Sequence, residues 1–161
     1  MELWELVARE SIRDLVARYN ANGDAGRFEQ VLALFADDAV MELVTASGEV
    51  QRFEGTDRIA TIFSGTSATW NARAGGDGAG GDGAGGTAPA RFHVRHFVAT
   101  HQIDIEDREH ARGRSYFVVL MPHGVDHWGR YLDEYGVRDG RWLITARRAV
   151  ADGRTRGGFT D

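Results

Sequence analysis

Four long segments in the second half of the chain constrain its fold more than anything else in it. "RFHVRHFVATHQIDIE", "EHARGRSYFVVLMPH", "VDHWGRYLDEYGVRDG" and "RWLITARRAVADG" follow one another with turn signals such as "EDRE" and "RDGR" between them. Each is rich in β-branched and aromatic residues, and the connections are too short for crossover helices, so the segments read as an antiparallel meander. Such a sheet needs cover for its apolar face. The only candidates lie in the first half, where apolar residues fall at Leu3, Leu6, Val7, Ile12, Leu15, Val16 and Tyr19 with helical spacing. Helices first and a curled sheet afterwards define an α+β fold: a curved antiparallel sheet wrapped around N-terminal helices, with a conical cavity between them.

Between these halves the pattern predicts a second helix from Asp24 to Phe35, then a strand through "ADDAVMELV". A hairpin follows at Ser47 to Glu49, with a returning strand to Glu54, and then a third helix in "GTDRIATIFSG" with Thr56 as its N-cap. The stretch "GGDGAGGDGAGG", Gly75 to Gly86, is a low-complexity insert. Its G-x-G-x-x-G match has neither a strand before it nor a helix after it, so it reads as a flexible surface loop and not a dinucleotide site. At 161 residues the chain is expected to form one domain, residues 1–161, around a single core.

Composition removes several kinds of chemistry. There is no cysteine, hence no disulfide, thiolate metal site or cysteine nucleophile. All 19 basic residues are arginine, which excludes lysine Schiff bases and a Walker-type phosphate loop. With a net charge of −5 and scattered arginines, nucleic acid is not an expected partner. No apolar run is long enough for a membrane span, and the acidic, periodic "MELWELVARE" does not read as a signal peptide; the expected location is the cytoplasm.

Against this background "YNANGD", Tyr19 to Asp24, draws attention as the ending of the first helix. Asparagine and glycine end helices readily, which is sufficient reason for the stretch by itself. On the first long β segment, alternation puts Phe92, Val94, His96, Val98 and Thr100 on one face, and His93, Arg95 and His101 on the other. A histidine among apolar neighbours is ordinarily a core residue. Beside a carboxylate it can hold a proton, and Asp24 on the helical cover is the candidate.

The segments "SIRDLVARYNANGD", "FADDAVMEL", "RHFVATHQIDIE", "RSYFVVL" and "GRYLDEYGVRDGRWLITARR" together resemble the SnoaL-like group of the nuclear-transport-factor-two superfamily. They are most similar to the branch with scytalone dehydratase, bile-acid 7α-dehydratase and hexachlorocyclohexane dehydrochlorinase. The resemblance implies an α+β cone with a histidine–aspartate pair in its cavity, and no metal or cofactor. Tyr19 and Asp24 match the Y-x-x-x-x-D spacing of the bile-acid enzyme, and Ile12-Arg13-Asp14-Leu15 matches the I-x-D-L segment of the dehydrochlorinase. His96 stands where an H-x-x-T-N segment opens, although Ala99 and Thr100 replace its last two residues. The implied mechanism is proton abstraction from carbon by His96, oriented by Asp24, with Tyr19 bonding a carbonyl or a departing hydroxyl. The outcome would be elimination or isomerisation.

Other residues have their own expectations. Phe63, Trp70, Phe92, Val98, Phe117 and Trp128 are candidates to line the cavity, which suits a mostly apolar small molecule bearing oxygen or halogen. Asp133 and Glu134 straddle the faces of one strand, so one of them offers an alternative sheet carboxylate of the polyketide-cyclase or epoxide-hydrolase kind. Of Arg147 and Arg148, one guanidinium is expected to face the pocket. Asp37 and Asp38 read as turn residues, and His123 and His127 lack metal-ligand spacing. A third possibility is a binding module without catalysis, such as the β subunit of an aromatic-ring dioxygenase. For the catalytic readings a homo-oligomer, dimer or trimer, is expected.

Overall fold

The structure is a computed structural model, described for residues 1–73 and 93–158, with 66–73 described by backbone only. The glycine segment Gly75–Gly86, Phe92 and the side chain of Trp70 lie outside the described residues. The elements are α1 (Leu3–Asp24), α2 (Phe28–Leu32), β1 (Phe35–Val44), β2 (Val50–Glu54), α3 (Thr56–Arg73), β3 (Arg95–Ile105), β4 (His110–Met121), β5 (Gly124–Arg138) and β6 (Arg141–Arg154). One six-stranded sheet runs in the order β2-β1-β6-β5-β4-β3. The last four strands form the expected antiparallel meander, and β1 enters beside β6 as the parallel neighbour. The fold is therefore the α+β curved, open sheet with helices on its apolar face.

Helix α1 runs past Tyr19 to Asp24, the end that "YNANGD" marks. Asn20 is buried and satisfies its own amide by donating to the Val16 carbonyl at 2.8 Å, so the buried stripe of Ile12, Leu15, Val16 and Tyr19 continues instead of breaking. The helix ends at Asp24, where Gly26 takes a left-handed φ of 69° and donates its N–H to the Gly23 carbonyl. That break also cuts short the expected second helix. α2 is only Phe28–Leu32, because Phe35 already pairs with Ile144 of β6. At the other end, Leu3, Leu6 and Val7 of the predicted stripe are exposed, and the buried face begins at Ala8. α3 starts at Thr56 and runs through Gly65 to Arg73, longer than its sequence signal.

Ile12, Leu15 and Val16 share one core with Val31, Ile59 and Phe63 of the other helices and with Phe117, Val119, Tyr131 and Ile144 of the sheet. Among the described residues no helix is long and apolar enough to cross a membrane.

Candidate active site

Asp24, the last residue of α1, and His96, at the start of β3, lie far apart in sequence and meet in space. The His96 ring Nδ1 is 2.6 Å from Asp24 Oδ1, and the His96 backbone N–H donates to Asp24 Oδ2 at 2.9 Å. Strand β3 is an edge of the sheet, so a backbone N–H on its free side needs a partner outside the ladder; Asp24 supplies it. One carboxylate thus fixes both the backbone and the ring of the histidine. Nδ1–H toward the carboxylate leaves Nε2 as the free lone pair, and no described group bonds it. The Asp24 side chain is 9% exposed and the His96 side chain 27%, so the carboxylate is shielded while the imidazole is reachable.

The pair borders an open cleft of about 870 Å³ between α1 and β3. On the helix side the wall is low because Ala17, Ala21 and Ala25 repeat every fourth position and carry almost no side chain. On the strand side stand His93, Arg95, Val98 and His101. Val98 lines the cleft as expected. The cleft is more polar than the aromatic pocket anticipated, with the Arg13 and Arg95 guanidiniums on its rim and Asp24 its one described carboxylate.

His101 reverses its expected side. Pairing with β4 jumps from Ala99↔Tyr116 to Gln102↔Arg114, and Thr100, at the bulge, has a φ of 52°. The extra residue shifts the alternation, so Thr100 is exposed while His101, Ile103 and Ile105 turn inward. His101 Nε2 lies 3.3 Å from the Tyr135 hydroxyl. Burial holds the His101 pKa below its ordinary value, and the positive charges of Arg13 and Arg147 add to this against the opposing pull of Asp133.

Behind the cleft sits a second charged group. Arg147 donates to both oxygens of Asp133, at 2.9 and 2.7 Å, with side-chain exposures of 0% and 1%. The Tyr135 hydroxyl donates to Asp133 Oδ2 at 2.8 Å, and its ring crosses Gly113, where any Cβ would collide with it. Arg147 also lies 4.0 Å above the Tyr19 ring and 4.2 Å above that of Tyr131. Asp133 and Arg147 are thus the inward members of their dipeptides. Glu134 is exposed, and Arg148 pairs outside with Glu42.

The remaining expected residues divide. Tyr19 is buried among Phe35, Tyr131 and Arg147 and is not part of the cleft lining; burial pushes its phenol pKa up. Phe63 stacks on Phe28 at 5.2 Å in the core, away from the cleft. Phe117 stacks on Tyr131 at 4.7 Å and stands 6.4 Å from the His96 ring. Trp128 points to the outer face of the sheet and is 41% exposed, because its register neighbours place the even positions of this part of β5 outward; it does not line the site. Asp37 and Asp38 are exposed, but they lie within β1, where its register with β6 shifts, and not in a turn before it. Among the described residues, no group of three or more His, Asp or Glu side chains is placed to hold a metal ion.

What the sequence reading missed is the alanine wall, the inward His101, and a further histidine, His127, whose ring is 6.4 Å from that of His96. The alanine period was visible in the sequence. The two histidines depend on bulges, which leave no clear one-dimensional signal.

Residues 4–148 match the SnoaL-like domain family. No curated protein matches significantly. Similar solved structures include a candidate scytalone dehydratase from Novosphingobium aromaticivorans, 19% identical with a TM-score of 0.71, covering 96% of this chain and 91% of that one. A hexachlorocyclohexane dehydrochlorinase from Novosphingobium barchaimii is 16% identical, with a TM-score of 0.68 and coverage of 96% and 93%. The β subunit of a candidate aromatic-ring-hydroxylating dioxygenase from Novosphingobium aromaticivorans is 17% identical, with a TM-score of 0.70 and coverage of 94% and 93%.

Proposed function

We propose that this chain, which belongs to the SnoaL-like family, is a cofactor-independent lyase or isomerase that removes a proton from carbon with His96. The observation that carries the reading is the pair of hydrogen bonds that Asp24 accepts from His96, at 2.6 Å from the ring and 2.9 Å from the backbone N–H. Asp24 sets the tautomer and stabilises the imidazolium that forms, and Nε2 takes the substrate proton. The substrate is a small molecule with an apolar skeleton and oxygen or halogen substituents, seated along Val98 and the alanine wall. Tyr19, buried beneath Arg147 and outside the cleft lining, makes no substrate contact in this reading.

The alternative sheet carboxylate has little capacity left: Asp133 already accepts from Arg147 twice and from Tyr135 once. A non-catalytic subunit role has one observation in its favour, the similarity to a dioxygenase β subunit, and the exposed Phe97, Tyr116 and Trp128 on the outer face of the sheet offer a surface for it. We assign that face to self-association instead, so the protein should purify as a homo-oligomer without a larger partner.

The test is solvent deuterium incorporation into a panel of carbon acids, read by mass spectrometry. Wild type should exchange a subset of the panel, and His96→Gln and Asp24→Asn, folded by thermal melt, should not. Exchange that survives in His96→Gln would remove the base assignment.

A further inference from the structure

His96 is not the only histidine held by a carboxylate at this end of the sheet. His127 Nδ1 is 2.7 Å from Asp126 Oδ2, and the Asp126 side chain has no exposed surface. The geometry that creates this pair is a bulge. β4 and β5 pair Val119↔His127 and then Leu120↔Val125, so Asp126 is the extra residue at the register shift. Strict alternation would send adjacent side chains to opposite faces; the bulge lets the Asp126 carboxylate reach back to the ring of its neighbour. Asp126 is held firmly. His123 Nε2 lies 3.1 Å from its Oδ1, the Thr155 N–H donates to its carbonyl at 2.7 Å, and Gly158 is pressed against Oδ1 so closely that a Cβ would come within 2.8 Å.

His96, Val119 and His127 are successive register partners across β3, β4 and β5, hence on the same face of the sheet. Strands two apart are separated by roughly 10 Å. Yet the two imidazole rings approach to 6.4 Å, nearly perpendicular at 82°, over the wholly buried Val119 and beside Phe117. Both rings retain some exposure, 27% for the His96 side chain and 21% for that of His127, which adjoins the cleft through His96 without being among its lining residues. Each has Nδ1 committed to a carboxylate, and no described group bonds either Nε2.

We propose that His127, held by Asp126, is a second catalytic residue: the acid that protonates a departing hydroxyl while His96 takes the proton from carbon. This rests on the reading of His96 as the base. In the step, His96 Nε2 removes the proton from the carbon next to an activating carbonyl. The C–H electrons become the new double bond, the bond from the neighbouring carbon to oxygen breaks, and that oxygen takes the proton from His127 Nε2. Substrate becomes alkene plus water, with the cationic charge passed from His127 to His96; a proton returned through water resets the pair. Two neutral bases would not help a hydroxyl to leave, whereas a halide needs no proton. The pair therefore favours a β-hydroxy carbonyl compound over a halide as substrate.

The charged and buried surroundings of the His127 ring pull in opposite directions. Burial lowers the His127 pKa, the Asp126 carboxylate opposes this, and the charge of His96 lowers it further. The other groups near the ring are His123 through Asp126, Asp24 behind His96, the apolar Phe117, and Arg154, its register partner on β6.

The experiment is a pH series of long-range proton–nitrogen spectra of the histidine rings in the full-length protein, as wild type, His96→Gln and Asp126→Asn. In wild type the His127 transition should depend on His96, and in His96→Gln its midpoint should rise by about one pH unit, as expected for a charge some 6 Å away in a partly solvated site. An unmoved midpoint overturns the proposal. A second measurement uses skeletons presented both as β-hydroxy and as β-chloro ketones. His127→Gln should lose hydroxyl elimination by about 100-fold or more and keep chloride elimination, while His96→Gln loses both. Hydroxyl elimination unchanged in His127→Gln overturns the second acid alone. Turnover surviving in His96→Gln overturns the base as well. If no skeleton reacts, the titration decides.

Discussion

Two shielded carboxylates, Asp133 and Asp24, each accept two hydrogen bonds from one basic residue, and they are built for opposite ends. Asp133 and Arg147 face each other on adjacent strands, buried, with the guanidinium filling both carboxylate oxygens and Tyr135 adding a third bond. Asp24 and His96 come from a helix end and a sheet edge, and one of the two bonds on Asp24 goes to backbone. The first pair uses nearly all of its acceptor capacity internally. The second leaves an imidazole nitrogen unbonded at an open cleft. Chemistry needs a residual lone pair and access to it, and only the pair at the edge of the sheet has both. A buried ion pair of the first sort instead fixes how β5, β6 and α1 sit together, because losing either member strands a charge in the core.

The largest expected effect breaks the edge pair. Asp24→Asn keeps shape and volume but removes the charge that supports the imidazolium and the acceptor that fixes its tautomer. Turnover should fall by about 10²–10⁴-fold, some 3–5 kcal/mol in the barrier. The melting temperature should change little, since Asp24 lies at a helix terminus. Rates on a substrate found by deuterium exchange, together with thermal melts, check both halves of this expectation. A large loss of stability with the loss of rate would make Asp24 a second Asp133.

The buried pair should respond in the reverse sense. Asp133→Asn or Arg147→Met should cost about 3–5 kcal/mol of stability in urea denaturation, because each leaves its partner charged and desolvated. The double substitution Asp133→Leu with Arg147→Met should recover much of that loss, since an apolar pair removes both charges together. If the double variant is no better than the singles, the pair is holding something besides itself. The Tyr19 and Tyr131 rings against which Arg147 packs are the first place to look.

How much of this was legible in one dimension follows the same division. The four strands were visible because their alternation and turns are local, and the Asp24–His96 pairing because a family resemblance aligned both residues. Asp133 and Arg147 were visible only as members of dipeptides, Asp-Glu and Arg-Arg; deciding which member turns inward takes the strand register. His101 was assigned to the wrong face since Thr100 absorbs an extra residue at positive φ, a conformation that a β-branched side chain rarely adopts. Asp126 escaped notice for the same reason, an extra residue at a register shift in a ladder that alternation treats as continuous. Trp128 was taken for a pocket residue on hydrophobicity alone, and an exposed tryptophan on an outer face has no local sign that distinguishes it. The end of α1 was legible in "YNANGD", and the helix does end at Asp24, with Asn20 buried and bonded inside its last turns.

The smallest expected effect is a slope of stability with pH, and it separates the two regions once more. Burial works against the Arg147 charge, but the Asp133 carboxylate beside it outweighs that and holds the guanidinium well above its ordinary pKa. This pair contributes no slope near neutrality on the arginine side. His101 and His127 behave differently, each lowered from 6.5 chiefly by burial. Below about 6.5 the unfolded chain takes up protons that these folded histidines refuse, so the folded state binds fewer and loses stability as pH falls. Their contribution is intact above 6.5 and is lost progressively as pH drops through their folded-state values. Urea midpoints from neutral pH down to mildly acidic pH should therefore decline in wild type and decline less in His101→Gln and in His127→Gln. The two substitutions should act independently, since His101 meets Tyr135 and His127 meets Asp126. A slope that His101→Gln leaves unchanged would mean that its ring is solvated in the cleft and free to charge, which would put a second titrating base beside His96 instead of a buried partner of Tyr135.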